Sequence, residues 1–231
     1  MSAIHSWVAQ LQFDGLLTTL VTVLSCLTCI TLHELSHGLV ALWLGDATAK
    51  RMGRLTLNPL KHIDWFGLAM LAFAKFGWAK PVPIDPRHFR RPKLGMAITA
   101  FAGPVCNVIL AWIAIMFYSV MVFYGYLYPN HSVLPWLERY FAYTALISIG
   151  LAVFNLLPIP PLDGSKILFA FLPDRWYIRL LRFERYGIIL LVVLLMTNVL
   201  DVPLEWMRDG LNQFLNAIGC WPFYVLMDIY F

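Results

Sequence analysis

The feature that most constrains this chain is an HELSH motif at residues 33–37, which lies inside a long apolar stretch. Apart from Glu34, no charged residue occurs between Asp14 and Asp46, so the motif falls in the second half of a segment long enough to cross a bilayer. A carboxylate at the centre of a membrane helix costs about 2.5–3.5 kcal/mol on insertion scales. Glu34 therefore needs a compensating partner, and a divalent cation is the simplest one.

The spacing of the two histidines predicts a metal site. Residues four apart lie on one face of a helix, so the imidazoles of His33 and His37 can reach a single ion. Glu34 follows the first histidine and can accept a proton from an attacking water without being a ligand itself. The alternative is a chance match to a short motif, which would leave Glu34 without a partner. Cys29 lies four residues before His33 on the same face, and a ligand role for its thiol stays open.

The composition indicates an integral membrane protein. Of the 231 residues, 60% are hydrophobic and 13% are charged, whereas soluble domains are about half apolar and about a quarter charged. We therefore predict an all-α integral membrane bundle of about 4–5 transmembrane helices, with a short β or re-entrant segment after the first helix. The four cysteines do not indicate a disulfide framework in such a chain.

The hydropathy pattern predicts a single polytopic domain over residues 1–231 with its core at 16–200. A span needs about 20 apolar residues, and four segments qualify or nearly qualify: about 16–44, 95–125, 140–158 and 187–201. The tail at 203–231 has apolar residues at helical spacing, so it either lies in the membrane interface or forms a fifth span.

Residues 47–94 differ from the rest of the chain because they are rich in basic residues and proline. Apolar and polar residues alternate at 51–57, which predicts a strand. The apolar patch at 67–76 is too short to cross a bilayer and contains Lys75, so we expect a re-entrant or interfacial element there.

The distribution of basic residues predicts the orientation. Residues 1–15 contain no Lys or Arg, whereas the segments after the first and third spans contain most of them. The positive-inside rule then places the N-terminus outside and the second half of the first span near the cytoplasm. The third span breaks at a proline-rich stretch that ends in Asp163, on the same side. Asp163 can therefore meet His33 and His37 at a similar depth.

Taken in order, three motifs resemble those of the site-2 protease family of intramembrane zinc metalloproteases, peptidase family M50. They are the HELSH motif, Gly103-Pro104 followed by Asn107 in the second span, and the NLLPIPPLDG sequence at 155–164. HExxH alone would be weak evidence, whereas the ordered combination is specific. The chain is most similar to the compact bacterial and archaeal branch without a PDZ domain, over roughly residues 16–200.

The resemblance implies a Zn²⁺ cofactor with three protein ligands: His33, His37 and Asp163. It also implies that Glu34 is the general base, that Asn107 helps to hold the substrate carbonyl or its oxyanion, and that Asn155 helps to shape the site. His62, in the basic segment, stays open as a neighbour of the site.

The implied function is hydrolysis of a peptide bond within or near a transmembrane segment of a membrane-protein substrate. We expect the protein in a bacterial or archaeal cell (inner) membrane, with its active site toward the cytoplasm. Its partners would be the lipid bilayer and a transmembrane protein or peptide, and not nucleic acid. In a helix, the carbonyl of each peptide bond is hydrogen-bonded and shielded from attack. The substrate segment must therefore unwind locally before it is cut. The predicted strand, with Leu55 and Leu57, offers an edge to which the unwound segment could add.

Two other classes of protein compete with this interpretation. One is a non-proteolytic metal-binding membrane protein, such as a chaperone or scaffold, and the other is a metal transporter. A transport site gains nothing from a glutamate next to a ligand histidine, and the complete ligand set counts against a scaffold. A Glu34→Gln variant separates the classes, because a protease should keep zinc and lose cleavage, whereas a scaffold or transporter should be little affected.

Overall fold

The structure is a computed structural model that describes residues 15–65 and 79–230, with the backbone alone for 178–185. Eight α-helices lie in these ranges: α1 Leu16–Trp43, α2 Thr48–Arg51, α3 Pro92–Leu127, α4 Leu134–Asn155, α5 Asp163–Ala170, α6 Asp174–Met196, α7 Asp201–Gly219 and α8 Trp221–Tyr230. Two 3₁₀ helices occur at Pro59–Lys61 and Pro86–His88. Within the described ranges there is no β-strand, and the β pairing is one isolated antiparallel bridge between Ile63 and Ala79.

Three of the described helices, α1, α3 and α4, are long and apolar enough to span a membrane. They correspond to the predicted spans at 16–44, 95–125 and 140–158, so the prediction of an all-α membrane bundle is confirmed. The predicted span at 187–201 falls on the end of α6 and the turn after it. It reaches span length only when Tyr186–Met196 is combined with Asp201–Tyr230 as one broken span. The total of about 4–5 spans therefore stays a prediction.

The strand predicted at 51–57 does not form, and this prediction is wrong. Arg51 ends α2, and the chain then turns through Gly53, which has φ of +63°. The N–H groups of Gly53 and Arg54 donate to the carbonyls of Lys50 and Ala49, which is a Schellman helix end. The alternating pattern thus belongs to a short helix and its cap, and no neighbouring strand is described here for residues 51–57 to pair with. The patch at 67–76 lies outside the described residues.

A second Schellman motif ends α1. Gly45 has φ of +110°, and the N–H groups of Gly45 and Asp46 donate to the carbonyls of Leu42 and Ala41. The left-handed backbone at this point is readily adopted by glycine. The turn places Asp46, which is fully buried, directly after the helix that carries the HELSH motif.

The chain divides into two compact units. The first contains residues 1–29, 107–154 and 193–231, and the second contains residues 30–106 and 155–192. In the first unit, small side chains of α3 and α4 form a core with larger residues, including one from α7: Ala111, Ala114, Ile115, Ala145, Ile149 and Leu215. Small residues at helix interfaces allow the close approach on which membrane helix packing depends.

Cys29 belongs to the same unit, and its side chain has hydrogen-bond partners there. Its thiol donates to the Thr144 carbonyl over 3.5 Å and accepts a hydrogen bond from the Ser148 hydroxyl over 3.1 Å. Cys29 is fully buried and packs with Tyr143 and Ile147. These contacts give the thiol a packing role between α1 and α4. The C-terminal tail forms α7 and α8, and its placement relative to the bilayer stays a prediction.

Candidate metal centre

Three potential ligand atoms of the second unit come together. The Nε2 atoms of His33 and His37 lie 3.1 Å apart, and Asp163 Oδ2 lies 3.2 Å from the first and 3.1 Å from the second. All three side chains are buried. Among the described residues, this is the group of His, Cys, Asp and Glu side chains that is arranged to hold a metal ion.

The spacing of these atoms fits zinc. Ligands at about 2.0–2.2 Å from a tetrahedral ion are separated from one another by about 3.3 Å, and the three observed separations lie close to this value. Two imidazole nitrogens and one carboxylate oxygen are also ligands that zinc accepts. Three protein ligands leave a fourth tetrahedral position open, which is the arrangement of catalytic sites and not of structural ones.

Local structure explains how each ligand arrives. His33 and His37 lie one turn apart on α1, while Asp163 is the first residue of α5, after the proline-rich stretch. Gly164 allows this approach, because a Cβ at this position would run into the carbonyls of Leu156 and Leu157. The α5 helix can therefore begin directly against the chain that leaves α4, with Asp163 turned toward the histidines.

The α3 helix orients the second histidine. His37 Nδ1 lies 2.7 Å from the Thr99 carbonyl. Because a carbonyl only accepts hydrogen bonds, Nδ1 carries the proton, and the lone pair of Nε2 is left for a metal ion. One turn further along α3, Gly103 faces both rings. A Cβ on Gly103 would lie 2.5 Å from Cε1 of His33 and from Cε1 and Nε2 of His37.

Glu34 stands apart from the three ligand atoms and has its own partner. Its Oε2 accepts a hydrogen bond from the Val82 N–H over 2.9 Å. The side chain is partly buried. Glu34 is thus held by the backbone of the segment that follows the undescribed residues, an arrangement suited to a proton acceptor that is not a ligand.

Comparison with known proteins gives the family. The sequence profile of peptidase family M50 matches residues 131–198. The candidate zinc metalloprotease YwhC of Bacillus subtilis (strain 168) is 38% identical over 200 residues, which cover 85% of this chain and 91% of that protein. This chain belongs to peptidase family M50. Membership makes it a zinc-dependent metalloprotease, with Zn²⁺ as its cofactor.

Two further relatives are also named as zinc metalloproteases. The candidate zinc metalloprotease Rip2 of Mycolicibacterium smegmatis is 30% identical over 198 residues, covering 84% of this chain and 72% of that protein. MJ0611 of Methanocaldococcus jannaschii, also a candidate zinc metalloprotease by name, is 39% identical over 69 residues, or 30% of this chain and 31% of the relative. No solved structure gives a significant match.

The other residues that the family resemblance or the predicted strand suggested for the site differ in burial and position. Asn107 is fully buried in α3, and Asn155 is the last residue of α4. Leu55 packs on α1 at Gly38, whereas Leu57 is 68% exposed. The strand edge proposed for these leucines is absent, so their part in substrate binding stays a prediction without that support. The roles of Asn107 and Asn155 also stay predictions.

His62 has a structural partner. Its ring is buried, and its Nε2 lies 2.9 Å from the Thr56 carbonyl, while its own carbonyl accepts the Lys80 N–H. These bonds tie His62 to Thr56 and to Lys80, and His62 is not one of the three clustered candidate ligands.

Sequence reasoning missed three residues that contact the candidate metal centre or Glu34: Thr99, Gly103 and Val82. The sequence did contain a signal for Thr99 and Gly103, because residues four apart in a helix share a face. For Val82 the signal is its position between two prolines, which leaves it the one backbone donor among residues 81–83.

Proposed function

We propose that this M50 protein is an intramembrane metalloprotease that hydrolyses a peptide bond within or near a transmembrane segment of a membrane-protein substrate. The observation that carries the proposal is the location of the ligand cluster. His33, Glu34 and His37 belong to α1, a helix that is long and apolar enough to span a membrane. A peptidase site on such a helix is suited to substrates that are themselves in the bilayer.

The proposed chemistry assigns each residue one task. His33, His37 and Asp163 hold the ion, which when bound polarises the scissile carbonyl and lowers the pKa of an attacking water toward about 7. Glu34 accepts the proton of that water and later passes it to the leaving amine. The Val82 N–H keeps the Glu34 carboxylate in place through its 2.9 Å hydrogen bond. The family resemblance adds Asn107 as a holder of the substrate carbonyl and Asn155 as a residue that shapes the site.

The proposal includes the state of the substrate and the orientation of the enzyme. A helical segment must unwind before its carbonyl is accessible, so helix-breaking residues near the cut should favour cleavage. The basic residues after the first and third spans support an N-terminus outside and an active site toward the cytoplasm, in a bacterial or archaeal cell membrane.

The test is a Glu34→Gln variant of the full chain, co-expressed with candidate single-span membrane proteins. Loss of the general base should slow cleavage by about 10²–10⁴-fold, while zinc content stays at the wild-type level because Glu34 is not a ligand. Substrates that the wild type cuts should accumulate uncut. Glu138→Gln, the same change on α4, is the control and should cleave normally.

Two results would overturn the proposal. Persistent cleavage by Glu34→Gln would remove the general base from the mechanism. A wild-type protein that binds zinc but cuts none of the membrane substrates would contradict intramembrane proteolysis itself.

A further inference from the structure

A proline-rich segment, residues 80–84, runs along the helix that carries the metal ligands. Its sequence is Lys-Pro-Val-Pro-Ile, and residues before proline favour extended backbone, so Lys80 and Val82 are both biased toward this shape. Residues 80–84 belong to no helix or strand. Its prolines have no N–H, so the Val82 N–H is the donor that reaches Glu34.

The carbonyls of the same segment are held by Arg54. Its Nη2 donates to the Lys80 carbonyl over 2.8 Å and to the Pro81 carbonyl over 3.3 Å. Arg54 is only 8% exposed, and none of the ion pairs in the described ranges involves it. A buried guanidinium is unfavourable unless its donors are satisfied. Here two backbone carbonyls of the segment accept from Nη2 in place of an acidic partner, while the Nε–H has no hydrogen-bond partner among the described residues.

Side-chain packing leaves this arrangement little freedom. Gly38, the residue after His37, faces Leu55 and Val82. A Cβ on Gly38 would lie 3.1 Å from Val82 Cγ1 and would overlap Leu55 Cδ2. Val82 is thus held on two sides of the site: its own side chain lies against α1 at Gly38, as Leu55 does, and Arg54 binds the carbonyls of the two residues before it.

We propose that Arg54 is a positioning residue for the general base. Its guanidinium fixes the carbonyls of Lys80 and Pro81, and this aims the Val82 N–H at the Glu34 carboxylate. The hydrogen bonds of Arg54 go to the carbonyls of Lys80 and Pro81, so its effect on Glu34 passes through the backbone of residues 80–82. The inference rests on the proposed function, in which Glu34 moves the proton.

If Arg54 has this role, its loss should lower the catalytic rate and leave metal binding unchanged. Removing the guanidinium leaves His33, His37 and Asp163 untouched, so zinc content should stay at the wild-type level. The Glu34 carboxylate loses its fixed orientation, and kcat should fall by roughly 10–100-fold, as for other outer-shell partners of metal sites. KM should change little, because Arg54 does not contact the substrate in this proposal.

The kinetic experiment uses the full chain and a single-span membrane protein that the wild type cuts and Glu34→Gln does not. Arg54→Met should show the fall in kcat with normal zinc content. Arg54→Lys should recover part of the rate, because an ammonium group can still donate to the two carbonyls. The matched control is Arg51→Met, which removes an exposed arginine three residues earlier and should behave as wild type.

A second variant tests the path through the backbone. Val82→Pro removes the N–H that reaches Glu34, so it should lower kcat as Arg54→Met does. Residues that act in one chain of contacts are non-additive. The double variant should therefore be no slower than the slower single variant, whereas independent effects would multiply.

Hydrogen exchange supplies a readout that does not depend on cleavage. The Val82 amide, followed by mass spectrometry of peptides spanning 79–84, should be protected in wild type and in Arg51→Met and should exchange faster in Arg54→Met. Equal exchange in the two arginine variants would overturn the inference. So would an active Arg54→Met with unchanged kcat, multiplying effects in the double variant, or a rate loss matched by zinc loss. Absence of wild-type cleavage would instead refute the proposed function, and with it the catalytic role of Arg54.

Discussion

Replacing Gly103 by alanine should damage the zinc site more than any similar change elsewhere in α3. The added Cβ would lie 2.5 Å from three ring atoms of His33 and His37, whereas carbon atoms pack best at about 3.5–4.0 Å. About 1 Å of movement is therefore required, either of the rings or of the helix. Overpacking of this kind typically costs about 1–3 kcal/mol.

The proposed zinc site should tolerate such movement poorly. Ligand distances in a metal site hold within about 0.2 Å, and the three ligand atoms are already only 3.1–3.2 Å apart. If the whole penalty falls on the metal-bound state, about 1–3 kcal/mol corresponds to roughly 5–150-fold weaker zinc binding. Zinc affinity, measured by competition with a chromogenic chelator in detergent, is the direct assay.

Gly125→Ala is the matched control, because it makes the same change in the same helix. There the added Cβ would meet Glu138 Oε2 at 3.8 Å, an ordinary contact. Alanine also favours a helix interior over glycine by up to about 1 kcal/mol. Gly125→Ala should therefore keep zinc affinity and unfold at an equal or higher temperature. Wild-type zinc affinity and cleavage in Gly103→Ala would refute the close approach of α3 to the two rings.

Other predictions concern the ligand carboxylate, the metal and the turn after α1. Asp163→Asn should lower zinc affinity, in the same chelator assay, by more than the roughly 10–100-fold that loss of a group supporting a ligand costs, and unchanged affinity would exclude Asp163 as a ligand. Removing zinc with a chelator should abolish cleavage, and adding one equivalent back should restore it; activity that survives removal would argue against a metalloprotease. Burial raises the pKa of the Asp46 carboxyl, but hydrogen bonds from Thr48 and from the Asp85 N–H outweigh this effect and hold the pKa below its usual value. Asp46 therefore stabilises the fold above about pH 4 and loses this contribution as the pH falls through its folded-state pKa. Asp46→Asn should lower the melting temperature at neutral pH, and the difference from wild type should shrink in acid; a difference that does not depend on pH would contradict this account.

Some features of the site were predictable because they depend on local geometry. Two histidines four apart on a helix must share a face, and His33 and His37 do. Asp163 was expected beside them from the orientation of the spans and the family resemblance, and it lies within 3.2 Å of both rings. The three longest spans were also predictable, since hydropathy and length are properties of the local sequence.

The strand at 51–57 shows where local reasoning failed. Alternation of apolar and polar residues has the period of a strand, but a strand also needs a partner for its backbone groups. Gly53 instead allowed a Schellman turn, in which the N–H of Arg54 bonds to the Ala49 carbonyl. Arg54 also donates to the carbonyls of Lys80 and Pro81, which are 26 and 27 residues away, and the alternating pattern contains no sign of these contacts.

By itself, the sequence determined the membrane class, the helix of the HELSH motif and the ligand types, because periodicity and hydropathy act over a few neighbouring residues. Only the tertiary structure decided how those groups are oriented. The Val82 N–H that holds Glu34 is 48 residues away from it, and the Thr99 carbonyl that holds His37 is 62 residues away. Contacts across such separations come from packing of whole segments, and no short-range pattern in the chain encodes them.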